Sequence, residues 1–342
     1  MLVLGGTGVI GTAVAHRLLT DGWTVDLVGR DSTRMPAELT AAGARFIPAD
    51  RNDRAQLAAA YGDGADLLVD CLCFTAEHAR QLLPFARDAD STVMISSKAV
   101  YVDDNGRHSN SAAPPEFPAP IREDDRTLAP GNGDYTTRDG YGANKVAAER
   151  ILLDSGAPVT VLRPSKVHGV GGQRPREWHF VKRVLDRRKT VLLAGQGLGI
   201  DHPTAAVNLA ALISTVAANP GRRILNSADP NAPTGREIAA TIARHLDHHW
   251  TELLLDNEAD PELGRHPWDA RPPIILDMTE ATNLGYRPLG DYATTVAPQL
   301  DWLAASAVAD EDGTWRLPRI DQDFFASSFD YAAEDEHVAS RT

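Results

Sequence analysis

The chain has 342 residues and a formal net charge of −13, with 43% hydrophobic and 24% charged residues. That composition suits a soluble globular protein of one large domain or two intimately joined ones. The acidic balance argues against a nucleic-acid-binding surface, and no apolar run reaches the roughly 18 residues of a membrane span. The N-terminus shows no basic flank or signal-peptide core. The two cysteines, Cys71 and Cys73, read as buried small hydrophobes on a strand rather than a disulfide or metal pair. The expectation is a cytoplasmic protein with no metal, nucleic-acid or membrane partner.

Leu2 to Leu4 is a short apolar strand that runs into glycines at 5, 6, 8 and 11. Thr12 to Leu19 then place apolar side chains at helical spacing, up to a break at Asp21 and Gly22. Strand, glycine turn and helix are the context that a dinucleotide fingerprint requires. Gly5 permits the sharp turn, Gly8 lets backbone N–H groups approach a pyrophosphate, and Gly11 lets the helix pack close to the strand. The helix N-terminus faces the phosphates with its partial positive charge. Gly5, Gly6, Thr7, Gly8, Val9, Ile10 and Gly11 are therefore the candidate cofactor cradle.

A second strand, Trp23 to Gly29, ends in Arg30 and Asp31. A carboxylate at this strand end favours NAD, through the ribose hydroxyls, and a basic residue favours the 2′-phosphate of NADP. Arg30, with Arg34 nearby, makes NADP the preferred cofactor; Asp31 keeps NAD as the alternative. The third strand, Ala44 to Ala49, leads to Asp50, placed to accept from an adenine amino group, and to Asp53, a helix cap. The fourth strand, Asp66 to Phe74, is apolar enough for a buried parallel sheet. The fifth, Ser91 to Ser96, delivers Ser97 to the carboxyl edge, where ligands bind in doubly wound sheets.

Residues 102–140 break this rhythm with five prolines and read either as a binding loop or as a surface insertion. A helix from Tyr141 to Leu153 and a sixth strand, Pro158 to Leu162, restore it. A basic helix over residues 176–188, a strand from Thr190 to Ala194 and a helix from Ala205 to Ala218 follow. Then come a strand over 223–228, a helix capped by Thr234, and a last clear helix from Asp291 to Ala305. The acidic tail carries Trp315, Phe324, Phe325, Phe329 and Tyr331, so part of it should pack on its own subunit or a neighbour. The expected domains are a dinucleotide-binding domain over 1–166 completed by the 223–228 strand, a substrate lobe over 167–305, and the tail, 306–342.

Tyr141 and Lys145 are four apart and share one helix face. A lysine ammonium beside a phenol favours the phenolate and suits proton transfer. The glycine run 5–11, Ser97 with Val100 and Tyr101, Tyr141 with Lys145, and Leu162-Arg163-Pro164 together resemble the extended short-chain dehydrogenase/reductases. These include the NAD-dependent epimerase/dehydratase group, and the resemblance spans roughly residues 1–305. It implies an α/β fold, a Rossmann-type doubly wound parallel sheet with a smaller C-terminal α/β substrate lobe, and a possible homodimer. Tyr141 would be the acid/base, Lys145 would tune it and bind the nicotinamide ribose, and Ser97 would hold the substrate oxygen. Arg51, Cys71, Leu72, Pro164 and Val167 would join the cofactor contacts, and His168 stands where many members have tyrosine.

The chain departs from that pattern between Gly197 and Ala206, which keeps His202 but lacks the arginine and aspartates found in nucleotide-sugar members. Charge for a diphosphate would then come from Arg174, Arg176, Lys182 or Arg183. Lys98 and Lys166 approach the same region, each read alone as structural or solvated. The favoured expectation is hydride transfer between a secondary alcohol and a ketone on a small metabolite. The alternative is a sugar-nucleotide epimerase or dehydratase that retains NAD; a non-catalytic dinucleotide sensor ranks third.

Overall fold

The computed structural model describes residues 1–256, 262–311, 313–325 and 328–341. Its first half alternates strands and helices: β1 (Leu2–Leu4), α1 (Val9–Thr20), β2 (Asp26–Gly29), α2 (Ala37–Ala41), β3 (Arg45–Pro48), α3 (Arg54–Tyr61), β4 (Leu67–Asp70), α4 (Ala76–Asp88), β5 (Ser91–Ile95), α5 (Arg138–Asp154) and β6 (Val159–Pro164). The second half comprises β7 (Lys166–His168), α6 (Trp178–Leu185), β8 (Thr190–Leu193), β9 (Pro203–Ala205), α7 (Ala206–Ala218), β10 (Arg223–Ser227), α8 (Gly235–His245) and β11 (Thr251–Leu254). It ends with α9 (Thr279–Asn283), α10 (Tyr292–Thr295), α11 (Ala297–Ser306), β12 (Val308–Ala309), β13 (Trp315–Arg316) and α12 (Tyr331–Ala339).

Seven strands form one parallel sheet in the order β10-β6-β5-β4-β1-β2-β3. Val3 stands opposite Leu27 on one side and Val69 on the other. Successive strand side chains point to opposite faces, and β1 shows the consequence. Val3 joins the core formed with Val14 and Leu18 of α1 and Leu209 to Val216 of α7. Leu2 and Leu4 join the opposite core, with Leu57 of α3, Leu82 of α4 and Leu152 of α5. Helices on both faces explain why β4, β5 and β6 are buried along their whole length. Strand order reverses between β1 and β4, which opens a crevice at the carboxyl edge there.

The remaining elements build a smaller lobe. Parallel β8 and β11, helices α6, α8, α10 and α11, and Trp268 enclose a separate apolar core. The tail packs on this lobe within the same chain. Leu317 and Phe325 enter its core, Arg183 Nη2 donates to Glu334 (2.6 Å), Arg188 pairs with Asp335 (2.5 Å), and the Tyr331 hydroxyl donates to Asp186 (2.7 Å). Among the described residues no helix is long and apolar enough to cross a membrane, and no group of three His, Cys, Asp or Glu residues is placed to hold a metal ion.

Several boundaries differ from the sequence expectation. The second strand begins at Asp26 rather than Trp23, whose N–H is taken by the Leu18 carbonyl (2.9 Å) in the turn that closes α1. The fourth strand stops at Asp70, whose carboxylate accepts from the Leu72 N–H (2.7 Å) and turns the chain. Cys71 and Cys73 therefore lie in the following loop, not on a strand; burial pushes both thiols up to about 12. The last expected helix is two, α10 and α11, with Pro298 in the first turn of α11.

Candidate active site

The β1–α1 turn builds the first part of the site. Gly5 adopts φ +82°, and the Gly5 and Gly6 N–H groups donate to the Val28 carbonyl (3.0 and 3.2 Å). A Cβ at Gly11 would lie 2.4 Å from the Gly5 oxygen and 2.6 Å from the Gly6 Cα, so the helix presses directly on the turn. A Cβ at Gly8 would meet only the Gly5 oxygen, at 3.5 Å, and its space is otherwise open. The first-turn N–H groups of α1 have no intrahelical acceptors. A cavity of about 310 Å³ adjoins them, lined by Gly5, Gly8, Val9, Leu72, Val167 and Gln173 among others. Bare glycine backbone, unused helix N–H groups and adjoining space fit a dinucleotide diphosphate.

Of the expected cofactor residues, Gly5, Gly8, Val9, Ile10, Gly11, Cys71, Leu72 and Val167 line this cavity. Pro164 and Lys145 line the larger one beside it. Gly6 and Thr7 form the back of the turn; a Cβ at Gly6 would strike Leu27 at 2.6 Å. Arg30 is exposed just past β2 and forms no ion pair among the described residues. The Asp31 carboxylate is occupied, accepting from the Thr33 N–H (2.9 Å) and hydroxyl (2.6 Å). Two expected residues lie outside both cavities. Arg51 is buried, with Nη2 donating to Asp70 (2.5 Å) and to the His78 carbonyl (3.0 Å), so its guanidinium ties β4 to α4 and reaches neither cavity. Asp50 lines neither cavity and accepts from the Asn52 N–H (2.9 Å) in its own turn.

The second cavity, of about 1120 Å³, opens at the carboxyl ends of β5 and β6 and brings Ser97, Tyr141 and Lys145 to one surface. Ser97 caps a single helical turn, its Oγ accepting from the Ala99 N–H (3.1 Å). Helix α5 is seated against that turn by Gly142, where a Cβ would come within 2.4 Å of the Ala99 oxygen. Thr137 caps α5 through the Gly140 N–H (3.0 Å), and Asn144 Nδ2 donates to the Gly133 carbonyl (2.8 Å). Lys145 is buried; its Nζ donates to the carbonyls of Cys73 (2.9 Å) and Ile95 (2.8 Å) and lies 4.2 Å from the Phe74 ring centre. The same ammonium is 5.9 Å from the Tyr141 ring centre, fixing a positive charge beside the phenol.

One turn further along α5, Glu149 accepts from Ser96 and forms a two-pronged ion pair with Arg163 (3.1 and 2.7 Å). Arg163 also lies 4.8 Å from the Tyr101 ring, whose hydroxyl donates to Asn226 (2.7 Å). Burial opposes the Arg163 charge, and Glu149 more than offsets it, so the guanidinium holds its proton more tightly than usual. This buried network locks the Tyr141 helix to β5, β6 and β10. His168 does not join the catalytic wall: its Nε2 pairs with Asp229 (3.0 Å) and its ring lines the smaller cavity.

Other walls came only with the structure. Ser109, Asn110 and Thr136 to Arg138 show that the 102–140 excursion forms one side of the large cavity, and Phe324, Phe325 and Ser328 bring the tail to another. Lys98 and Lys166 line it, and both pair with Asp201 (the Lys166 contact is 3.1 Å). Of the four residues expected to supply charge, Lys182 is spent on Asp186 and Arg183 on Glu334. Arg174 lines the cavity but pairs with Asp321, whereas Arg176 lines it with no ion pair among the described residues. His266 also lines it, and burial lowers its pKa to about 4.

Parallel sheet, glycine cradle and the Ser97, Tyr141 and Lys145 wall define an extended short-chain dehydrogenase/reductase. The chain belongs to the NAD-dependent epimerase/dehydratase family, which it matches over residues 1–201. A UDP-glucose 4-epimerase structure superposes with TM-score 0.67 at 17% identity, covering 89% of this chain and 97% of that one. A UDP-N-acetylglucosamine 4-epimerase from Bacillus cereus gives 0.66 at 17%, covering 90% and 97%. A dTDP-glucose 4,6-dehydratase from Bacillus anthracis, solved in complex with NAD, gives 0.65 at 14%, covering 89% and 96%. At these identities the likeness is one of fold. No curated protein matches the chain.

Proposed function

We propose that this protein is an epimerase or dehydratase of a sugar nucleotide, working through a transient ketone with a retained dinucleotide. The observation that carries the reading is the cavity of about 1120 Å³ holding Ser97, Tyr141 and Lys145. Beyond Lys145, Pro164 and Val167, expected to hold the nicotinamide, it is lined by Arg174 and Arg176, whose charge favours a phosphate-bearing substrate over the small metabolite that the sequence first suggested. The names of the structural neighbours, UDP-hexose epimerases and a dTDP-glucose dehydratase, favour the same class. The family's NAD dependence and a neighbour solved with NAD favour NAD as that dinucleotide, over the NADP that Arg30 first suggested.

When bound, the nicotinamide supplies the hydride acceptor. The chain's own residues do the rest. Ser97 Oγ donates to the substrate oxygen and orients it. Tyr141 removes the hydroxyl proton as the carbon is oxidised and returns it when the ketone is reduced. The fixed Lys145 ammonium stabilises the phenolate that takes that proton and that re-forms when the proton is returned, and the Phe74 ring packs against the ammonium.

The test is to denature freshly purified protein, identify the released dinucleotide by mass spectrometry, and follow UDP-glucose, UDP-N-acetylglucosamine and dTDP-glucose with intact protein by NMR. Conversion with no net change in NAD(P)H absorbance is the expected result. Turnover that consumes added NADPH stoichiometrically would replace this reading with a reductase.

A further inference from the structure

Two lysines and a single carboxylate meet in the wall of the large cavity. Lys98 and Asp201 are buried, and Lys166 is largely so. Asp201 is the ion-pair partner of both ammonium groups. Each ammonium has three donors and no acceptor, so donors remain that no described residue takes. Arg176 adds positive charge nearby; the Glu177 carboxylate favours that charge, and no ion pair engages Arg176 among the described residues. Burial disfavours unbalanced cations, and here burial holds both lysines well below their ordinary pKa, assisted by Lys166 and Arg176 at Lys98 and by Arg176 at Lys166, with Glu177 opposing at Lys166. The geometry is therefore incomplete without an anion.

Its position says which part of the substrate would bring that anion. Lys98 follows Ser97 directly and lies on the turn that Ser97 caps; Lys166 opens β7, just past β6, the strand next to β5. Ser97 holds the reacting oxygen in the reading above, so these ammonium groups flank the reacting end of the substrate. Asp201 keeps the two apart, and a second carboxylate can bridge their remaining donors as charge-assisted hydrogen bonds. A hydroxymethyl group in the same place would leave them unmatched.

We infer that Lys98 and Lys166, spaced by Asp201, form a subsite for a carboxylate carried by the sugar itself. This makes the substrate a nucleotide-linked sugar acid, and it rests on the sugar-nucleotide reading above.

The experiment is calorimetric titration of dinucleotide-loaded protein with UDP, UDP-glucose and UDP-glucuronate. It is run on the wild type, Lys98→Met and Lys166→Met, with folding checked by thermal melting. Wild type binds UDP-glucuronate about 10-fold or more tighter than UDP-glucose, as expected for charge-assisted contacts. Each substitution abolishes that preference and leaves UDP and UDP-glucose within about twofold. Equal binding of both sugars by wild type overturns the inference, as does a variant that weakens all three alike, which would assign the lysines to the diphosphate. If no uridine compound binds, the sugar-nucleotide reading fails separately. Free glucuronate then decides the subsite: it raises the melting temperature of wild type above a sodium chloride control and leaves Lys98→Met unmoved, whereas no shift in wild type refutes it.

Discussion

Replacing Glu149 by Ala removes the one carboxylate that pairs with Arg163 among the described residues and also the acceptor of the Ser96 hydroxyl. Both members of the ion pair are almost fully buried, 2% and 3% exposed, so the guanidinium left behind has no route to water. Stripping one partner from such a pair costs about 3–5 kcal/mol. Part of the charge would still be met, because Arg163 Nη1 donates to the Glu123 carbonyl (3.1 Å) and the Tyr101 ring lies against it. The lower half of that range is therefore expected, about 3–4 kcal/mol. Arg163→Met leaves a buried carboxylate instead and should cost a similar amount. The double variant, Glu149→Ala with Arg163→Met, removes both charges and should cost clearly less than the sum. Urea unfolding of the four proteins gives the coupling energy directly. A loss below about 1 kcal/mol in both single variants, or simple additivity in the double, would refute the claim that this pair locks the Tyr141 helix in place.

Gly11→Ala forces a methyl group to within 2.4 Å of backbone oxygen. The α1 N-terminus must then move off the turn, and dinucleotide affinity measured by fluorescence titration should fall at least about 10-fold; unchanged affinity would separate the cradle from the cofactor. His266 gives a pH prediction. Burial lowers its pKa to about 4, with Asp269 opposing and Lys166 assisting, whereas the unfolded chain takes up the proton near pH 6.5. The folded-state value is the lower one, so this contribution is intact above about pH 6.5 and is lost as pH falls towards 4, by up to about 3 kcal/mol. Urea midpoints should therefore drop more steeply with acid in wild type than in His266→Gln, and parallel curves would count against it.

The motifs that were legible in the sequence are local ones. The turn from Leu4 to Gly11 and the Tyr141 to Lys145 spacing each lie within one strand–turn–helix or one helical turn, so residue order alone constrains their geometry. The contacts of the Arg51 side chain were not legible, because Asp70 and the His78 carbonyl, 19 and 27 residues away, are brought to it only by the packed sheet. The cysteines were placed on a strand because an apolar run does not reveal that Asp70 ends it. Lys98 and Lys166 looked like isolated lysines; Asp201, which joins them, arrives from a segment that parallel pairing of β7 with β9 sets alongside. The tail's aromatic residues signalled burial, but the acceptance of Arg183 by Glu334, 151 residues away, carried no sequence signal.

The most direct measurement is turnover of a sugar nucleotide accepted by the wild type, compared with Tyr141→Phe, with retained dinucleotide quantified in both. If Tyr141 moves the proton, the phenylalanine enzyme keeps its dinucleotide and loses about 10²–10⁴-fold in rate. Turnover within about twofold of wild type would place the proton transfer elsewhere and contradict the assignment.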